Sequence, residues 1–398
     1  MPRSELEPPP AAPAPARVPL LQSARLAVSC VFLLHGLAVG AWLARIPAVQ
    51  EHLGLGVAAL GFALLGSGLG SLVAMLPAGA LIARVGSRGM VALLAIPWAL
   101  SVALVGLAAD GASLFAALVL WGGSAGALDV AMNAQGSAIQ EKRGQPILSS
   151  LHGLWSLGAM AGGAASALLT SRGVTAQTQF LVEAPLLLAL VVGATRAMLP
   201  GGSSARVSAL ARPNRALLAL AVVTFCGVTA EGSMFDWSGV YLRRVFDAPE
   251  ALAAISASVV AASMAAGRLI GDPVTARFGP AQLARACAAV AAFGMLVVIL
   301  APSPAVVFAG LVALGLGLSI LVPLAFGAAG RAPGMAPGAA IAAVATVGYF
   351  GFLVAPPTLG LIAERLTLRG SFVVLLALLL LIGVLAPATG TKSERSGD

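Results

Sequence analysis

Charge is the scarcest property of this chain. Asp, Glu, Lys and Arg together make up 10% of its 398 residues, against about 25% in a soluble domain. Hydrophobic residues reach 59% and the mean hydropathy is +0.98, so a water-soluble globule is excluded. Cysteine is also rare. Cys30, Cys226 and Cys287 stand singly in apolar segments, with neither disulfide nor zinc spacing, and read as small core residues. The histidines His35, His52 and His152 fall in three separate segments, so no His/Glu metal cluster forms along the chain. There is no Walker phosphate loop and no Gly-x-Ser-x-Gly elbow. These absences argue against nucleotide hydrolysis, hydrolase chemistry and a bound cofactor, so no enzyme is expected. The apolar runs are continuous instead of alternating in period two, which excludes a β-barrel.

What is present is a series of twelve apolar segments, each near the ~20 residues needed to cross a bilayer. They cover 24–45, 57–83, 89–109, 113–139, 149–170, 179–199, 215–242, 251–276, 282–301, 305–329, 338–363 and 370–388. The expected fold is an all-α membrane protein. A Pro-rich tail over 1–22 is expected to be disordered. Two six-helix bundles follow, 23–199 and 215–388, joined by a polar linker over 200–214 and ended by a tail over 389–398. With the N-terminus inside, 16 basic residues fall on the inner side and six on the outer, with Arg268 within a span. Inner-side loops are rich in Lys and Arg, so both termini are expected in the cytoplasm of a bacterial inner membrane. The same rule explains the net charge of +8 without nucleic acid.

The halves resemble each other at an offset of 193. Ala83-Arg84-Val85-Gly86 returns as Ala276-Arg277-Phe278-Gly279; Gly122 matches Gly315, Gly158 matches Gly351, and Phe32 falls on Phe225. Two parallel six-span repeats are a transporter architecture, with the site between the halves. The turn Gly79-Ala80-Leu81-Ile82-Ala83-Arg84-Val85-Gly86-Ser87-Arg88 resembles the loop motif of the major facilitator superfamily, although that motif carries Asp where Ala83 stands and a basic residue where Ser87 stands. Gly267-Arg268-Leu269-Ile270-Gly271-Asp272 resembles the related motif after span eight. The stretches Asp129 to Gly136 and Leu151 to Gly158 are similar to a bacterial branch near the fucose-permease-like sugar transporters. The resemblance implies alternating access by two rocking bundles and default monomeric function.

Ionisable groups within spans cost about 2.5–3.5 kcal/mol each and demand a reason. Asp129 shares a helix face with Gly122, Gly126 and Asn133, and Glu231 lies deep in span seven. These two acids are the proton-coupling candidates. Gly232 and Gly239 suggest a break in span seven. Solute-binding candidates are His35 and Trp42 on one stripe of span one, Asn133 and Gln135 in span four, His152 and Trp155 in span five, and Tyr349 in span eleven. For each there is a structural alternative: hydrogen-bonded packing for His35, and interfacial anchoring for the tryptophans. Gate candidates are Arg45 and Asp236 on the outer side, with Arg45, Arg243 or Arg244 as the expected partner of Asp236, and Arg84, Arg88, Arg268, Asp272 and Arg277 on the inner. Arg268 and Asp272, at i and i+4, suggest a helical salt bridge. Asymmetric polar groups suggest that spans one, four and seven carry the chemistry, while spans ten and eleven shape the cavity. The expected activity is proton symport of a small polar solute such as a sugar or sugar derivative. Proton-linked efflux of an amphipathic compound is the alternative. A membrane-embedded enzyme and a non-transporting receptor are the other classes considered.

Overall fold

A computed structural model describes residues 17–143, 147–200, 215–332 and 337–390. The described residues are helical or in turns, and none lies in a strand. The helices are α1 (Arg17–His52), α2 (Val57–Gly106), α3 (Gly111–Arg143), α4 (Leu148–Ser171), α5 (Ala176–Thr195), α6 (Arg215–Phe246), α7 (Glu250–Ala254), α8 (Ser256–Phe278), α9 (Pro280–Leu300), α10 (Pro304–Leu318), α11 (Leu321–Gly330), α12 (Pro337–Arg365) and α13 (Leu368–Leu385). At 1.5 Å per residue, α2 is about 75 Å long, enough for two crossings of a ~30 Å hydrocarbon core. It divides at Gly86. With α10 and α11 as one crossing and the short α7 as a connector, twelve spans result.

Several boundaries differ from the sequence expectation. Helix α1 begins at Arg17, so residues 17–22 are helical and not part of a disordered tail. Pro19 is tolerated there because first-turn N–H groups need no helical acceptor. Helix α6 runs unbroken, and Gly232 and Gly239 serve close packing instead, against the Phe352 ring and Pro47. The break falls in span ten instead, at Ser319–Ile320. Pro323 supplies the reason: it has no N–H for the Ser319 carbonyl four residues earlier. Residues 1–16, 201–214 and 391–398, which hold most of both tails and the linker, lie outside the described residues.

Polarity cannot sort these helices, because most are apolar all round. In the second arm of α2, Val91, Ala95, Trp98, Val102 and Val105 are buried, while Leu93, Ile96, Leu100 and Leu104 are exposed on the opposite face. Between helices in lipid, close packing of small residues replaces the hydrophobic drive. The seam of α1 and α4 shows this. Gly36 and Gly40 abut the carbonyls of Trp155 and Ala159, and Gly158 and Gly162 abut those of Leu33 and Leu37. Any Cβ at these four positions would overlap backbone, so the glycines set the helix spacing that brings Trp155 to His35.

The repeat is visible in the backbone. Gly86 has φ 75° and ψ 155°; Gly279, 193 residues later, has φ 77° and ψ 154°. L side chains rarely adopt this conformation, and it turns the chain between two spans in each bundle. Gly122 abuts the Ser67 carbonyl, and Gly315 abuts that of Val260, again at the same offset.

Among the described residues, every hydrogen bond and ion pair between the bundles lies at one end. Arg45 Nη1 meets Glu250 Oε1 at 3.0 Å. Arg243 clasps Glu51 through Nε at 2.7 Å and Nη2 at 2.9 Å. Arg244 donates to the Leu55 carbonyl at 3.1 Å. Close backbone contact at Gly61 with Pro356, and at Gly360 with Val57, completes the seal. The opposite end, which carries Arg84 and Arg277, has no such bond among the described residues and is the free end of the cleft between the bundles.

Candidate functional site

Two polar groups face each other across this cleft. In the first bundle, Asn133 Nδ2 donates to the Asp129 carbonyl at 2.9 Å and to its Oδ1 at 3.2 Å. One helical turn separates the two, so the i, i+4 spacing alone creates the pair. His152 Nε2 lies 3.1 Å from Asn133 Oδ1. An amide oxygen only accepts, so Nε2 carries the proton. The exposed His152 ring also packs edge-on against Phe32, with centroids 5.3 Å apart.

In the second bundle, Arg268 Nη2 sits 3.7 Å from Glu231 Oε1. Its Nε donates to the Ser319 carbonyl at 3.1 Å, the acceptor that Pro323 leaves free. Arg268 thus caps a helix break and holds a partly buried acid with one planar fork. Tyr349, 48% exposed, lies within electrostatic reach of both Asp129 and Glu231. The charge of Arg268 likewise reaches His152. Asp129, Asn133, His152, Glu231, Arg268 and Tyr349 therefore form one constellation drawn from five helices of both bundles. It presents carboxylates, an amide, an imidazole, a phenol and a guanidinium, a set suited to hydroxyl groups and to proton exchange.

Other sequence candidates stand elsewhere. His35 is buried, with both ring nitrogens occupied. The Trp155 indole N–H donates to Nδ1 at 2.8 Å, so Nε2 holds the proton and donates to the Ala125 carbonyl at 3.2 Å. The ring stacks on Trp98 at 5.6 Å and 10°. This is the packing alternative, a fixed neutral tautomer, and Trp155 has only its ring face left for a solute. Trp42 is buried against Phe180, centroids 6.4 Å apart. It is interior packing of the first bundle, not cleft wall. Gln135 is fully buried. It ties α3 to Ser87 Oγ at 3.0 Å and to the Leu199 carbonyl at 2.8 Å, so it braces the bundle and does not face the cleft.

The gate expectations also shift. Asp236 pairs with none of the arginines expected for it: Arg45 is held by Glu250, Arg243 by Glu51, and Arg244 by a backbone carbonyl. Arg268 turns to Glu231 and so belongs to the central constellation, not to an end latch. The side chain of Asp272 lies outside the described residues. Arg277 rests over the Phe278 ring at 5.3 Å. Arg84 is exposed, and neither Arg84 nor Arg88 makes an ion pair among the described residues, consistent with an open end. Sequence reasoning missed Glu51 and Glu250, which sit at helix ends with no pattern to mark them. It also missed Gln179 and Glu183 in span six, although an acid within a span is itself a signal.

The seal around Arg45 has a testable strength. Arg45 is 1% exposed and binds Glu250, Gln179 Oε1 at 2.8 Å and the Val174 carbonyl at 2.8 Å. Breaking a fully buried pair costs ~3–5 kcal/mol. Glu250 is 35% exposed, so solvent screening lowers the expected loss for Arg45→Met to about 2–3 kcal/mol. Thermal unfolding in detergent is expected to show a larger fall in Tm for Arg45→Met than for Glu250→Gln, since the latter keeps two of the three contacts. Equal falls would show that the bonds within the first bundle contribute nothing.

Two parallel six-span bundles enclosing a polar cleft, sealed at one end and open at the other, define a multi-pass membrane transporter. The chain belongs to the Major Facilitator Superfamily, whose family model matches residues 28–336. Among curated proteins it is similar to the uncharacterized transporter y4wD of Sinorhizobium fredii, with 34% identity over 365 residues, 90% of this chain and 96% of that protein. It is also similar to an MFS-type transporter of Yersinia pestis, with 30% identity over 92% of this chain and 96% of that one, and to membrane protein MosC of Rhizobium meliloti, with 30% identity over 93% and 90%. In fold it matches a variant of the nucleoside transporter NupG (TM-score 0.77, 12% identity, 92% and 99% of the two chains). It also matches an inward-facing, occupied bacterial homologue of the lysosomal transporter Spinster (TM-score 0.75, 15% identity, 95% and 97%).

Proposed function

We propose that this protein carries a small polar solute, a sugar or sugar derivative, across the bacterial inner membrane by proton symport. The single observation that carries the reading is the constellation of Asp129, Asn133 and His152 opposite Glu231, Arg268 and Tyr349. Its hydrogen-bonding groups match hydroxyls, and its carboxyls offer places for a proton to travel with the solute. The arginine asymmetry of the loops supports a cytoplasmic position for the Arg84 and Arg277 end and for both termini. On that orientation the described conformation is open inward and sealed outward by Arg45–Glu250 and Arg243–Glu51. The protein acts as a monomer, since each chain contains a complete cleft.

A thermal-shift screen of purified protein against sugars, sugar derivatives and nucleosides tests the solute class, because a ligand stabilises the state it binds. The hit is then offered to proteoliposomes with an imposed proton gradient. Uptake driven by protons moving in the same direction is expected. Uptake indifferent to the gradient, or accumulation opposite to proton flow, would contradict symport.

A further inference from the structure

Behind the Arg45 seal lies an acid that the cleft does not use. Glu183 stands one helical turn after Gln179 on α5. Its Oε2 is 3.5 Å from Gln179 Nε2, and its Oε1 is buried with no partner among the described residues. Gln179 is itself buried; its Oε1 accepts from Arg45 Nε, and its Nε2 donates to Ser166 Oγ at 2.7 Å. Arg45 is therefore linked to two acids. Glu250, on the opposite bundle, touches it directly at 3.0 Å. Glu183, on its own bundle, is connected through the Gln179 amide.

The elements around Glu183 offer no other counter-charge. Helix α1 brings Arg45 to the Gln179 amide; its Arg17 and Arg25 lie toward the far end and His52 is exposed at the near end. Helix α2 keeps Arg84 and Arg88 toward the far end, and α4 has His152 at the far end, with Arg172 exposed just past its near end. An ionised carboxylate in this setting, with Arg45 already engaged, would be expensive. Once the bundles part, Glu250 leaves with its own bundle, and Arg45 is left without a carboxylate partner.

We propose that Glu183 is a second proton-binding site, which holds a proton while Arg45 is paired with Glu250 and becomes the counter-ion of Arg45 when that pair opens. The step balances. The Glu183 O–H bond breaks, and its proton passes to water entering the opened end. The carboxylate replaces Glu250 opposite Arg45 through Gln179, and Glu250 stays ionised in solvent on the other bundle. Each opening of the Arg45 end thus releases one proton from Glu183, in addition to any bound in the central cleft.

This inference rests on the alternating-access reading, and the experiment separates the two. Spin labels at Arg172 and Leu366, both exposed at the sealed end on opposite bundles, report opening as an increase in distance. In otherwise native protein, two distance populations are expected, with the open one growing as the pH is raised and a releasable proton is drawn off. A single distance at every pH would overturn the rocking of the bundles itself. In Glu183→Gln the pH-driven growth of the open population is expected to fall by about tenfold, and Glu183→Asp is expected to restore it. Gln179→Leu, which keeps Glu183 but cuts the link, is expected to lose the response as Glu183→Gln does, and serves if that variant folds poorly. Two populations with a native pH response in Glu183→Gln or Gln179→Leu would overturn the role of Glu183 while leaving the rocking intact.

Discussion

Asp129→Asn is expected to abolish proton-driven accumulation of the solute while leaving exchange of solute across the membrane in place. Asp129 receives its hydrogen bond from Asn133, which in turn accepts from His152. Asparagine has the same size and still offers an oxygen at that position, so the bundle keeps its packing and the solute keeps an acceptor. What is lost is the ability to gain and release a proton. Coupling fails because only a group that titrates during the cycle links solute movement to proton movement. In proteoliposomes, counterflow is expected to persist and the solute to equilibrate without concentrating. Normal accumulation against a gradient by this variant would remove Asp129 from the coupling mechanism.

Arg268→Ala and Arg268→Lys carry the second large effect. Arg268 serves two acceptors at once, Glu231 at 3.7 Å and the Ser319 carbonyl at 3.1 Å. Alanine leaves both unpaired, and an acid stripped of its partner inside a bundle is destabilising. Lysine keeps the charge but has no planar fork, so it satisfies one acceptor and abandons the other. Transport is expected to be lost in Arg268→Ala and to fall by about tenfold or more in Arg268→Lys. Combining Arg268→Ala with Glu231→Gln is expected to restore folded yield, because no unpaired charge remains, but not transport. If the double variant transports normally, the pair is scaffolding. If the single alanine variant is as stable and active as the native protein, the contact to Glu231 carries no weight.

The spans, the parallel repeat and the transporter fold were all legible in the sequence, because each rests on a property read along one dimension. Hydropathy sets the crossings, arginine counts suggest their orientation, and a constant offset reveals the repeat later seen in Gly86 and Gly279. Part of the site was equally legible. Asp129 and Asn133 meet because i and i+4 share a face, a relation internal to one helix. The cross-bundle geometry was not. The spacing of Arg268 and Asp272 points to a local salt bridge, yet Arg268 reaches Glu231 and a carbonyl freed by Pro323. Pro323 announces that vacancy on another helix, but nothing along the chain tells which side chain fills it. The contact also gives spans eight, ten and eleven a share in the polar chemistry that the sequence assigned to spans one, four and seven. His35 and Gln135 misled for the opposite reason. A polar side chain within a span signals a required partner, but not whether that partner is a solute or a neighbouring helix. For His35 it was Trp155 and Ala125, and for Gln135 it was Ser87 and Leu199.

The account depends on two rigid bundles that open alternately at either end of one cleft. Distances between spin labels at both ends of the same protein measure this directly: Arg172 with Leu366 at the sealed end, and Lys142 with Arg331 at the open end, all four exposed. On adding the transported solute and a proton gradient, one pair is expected to lengthen as the other shortens, in a fixed inverse relation. Both pairs lengthening together, or neither changing while transport proceeds, would contradict it.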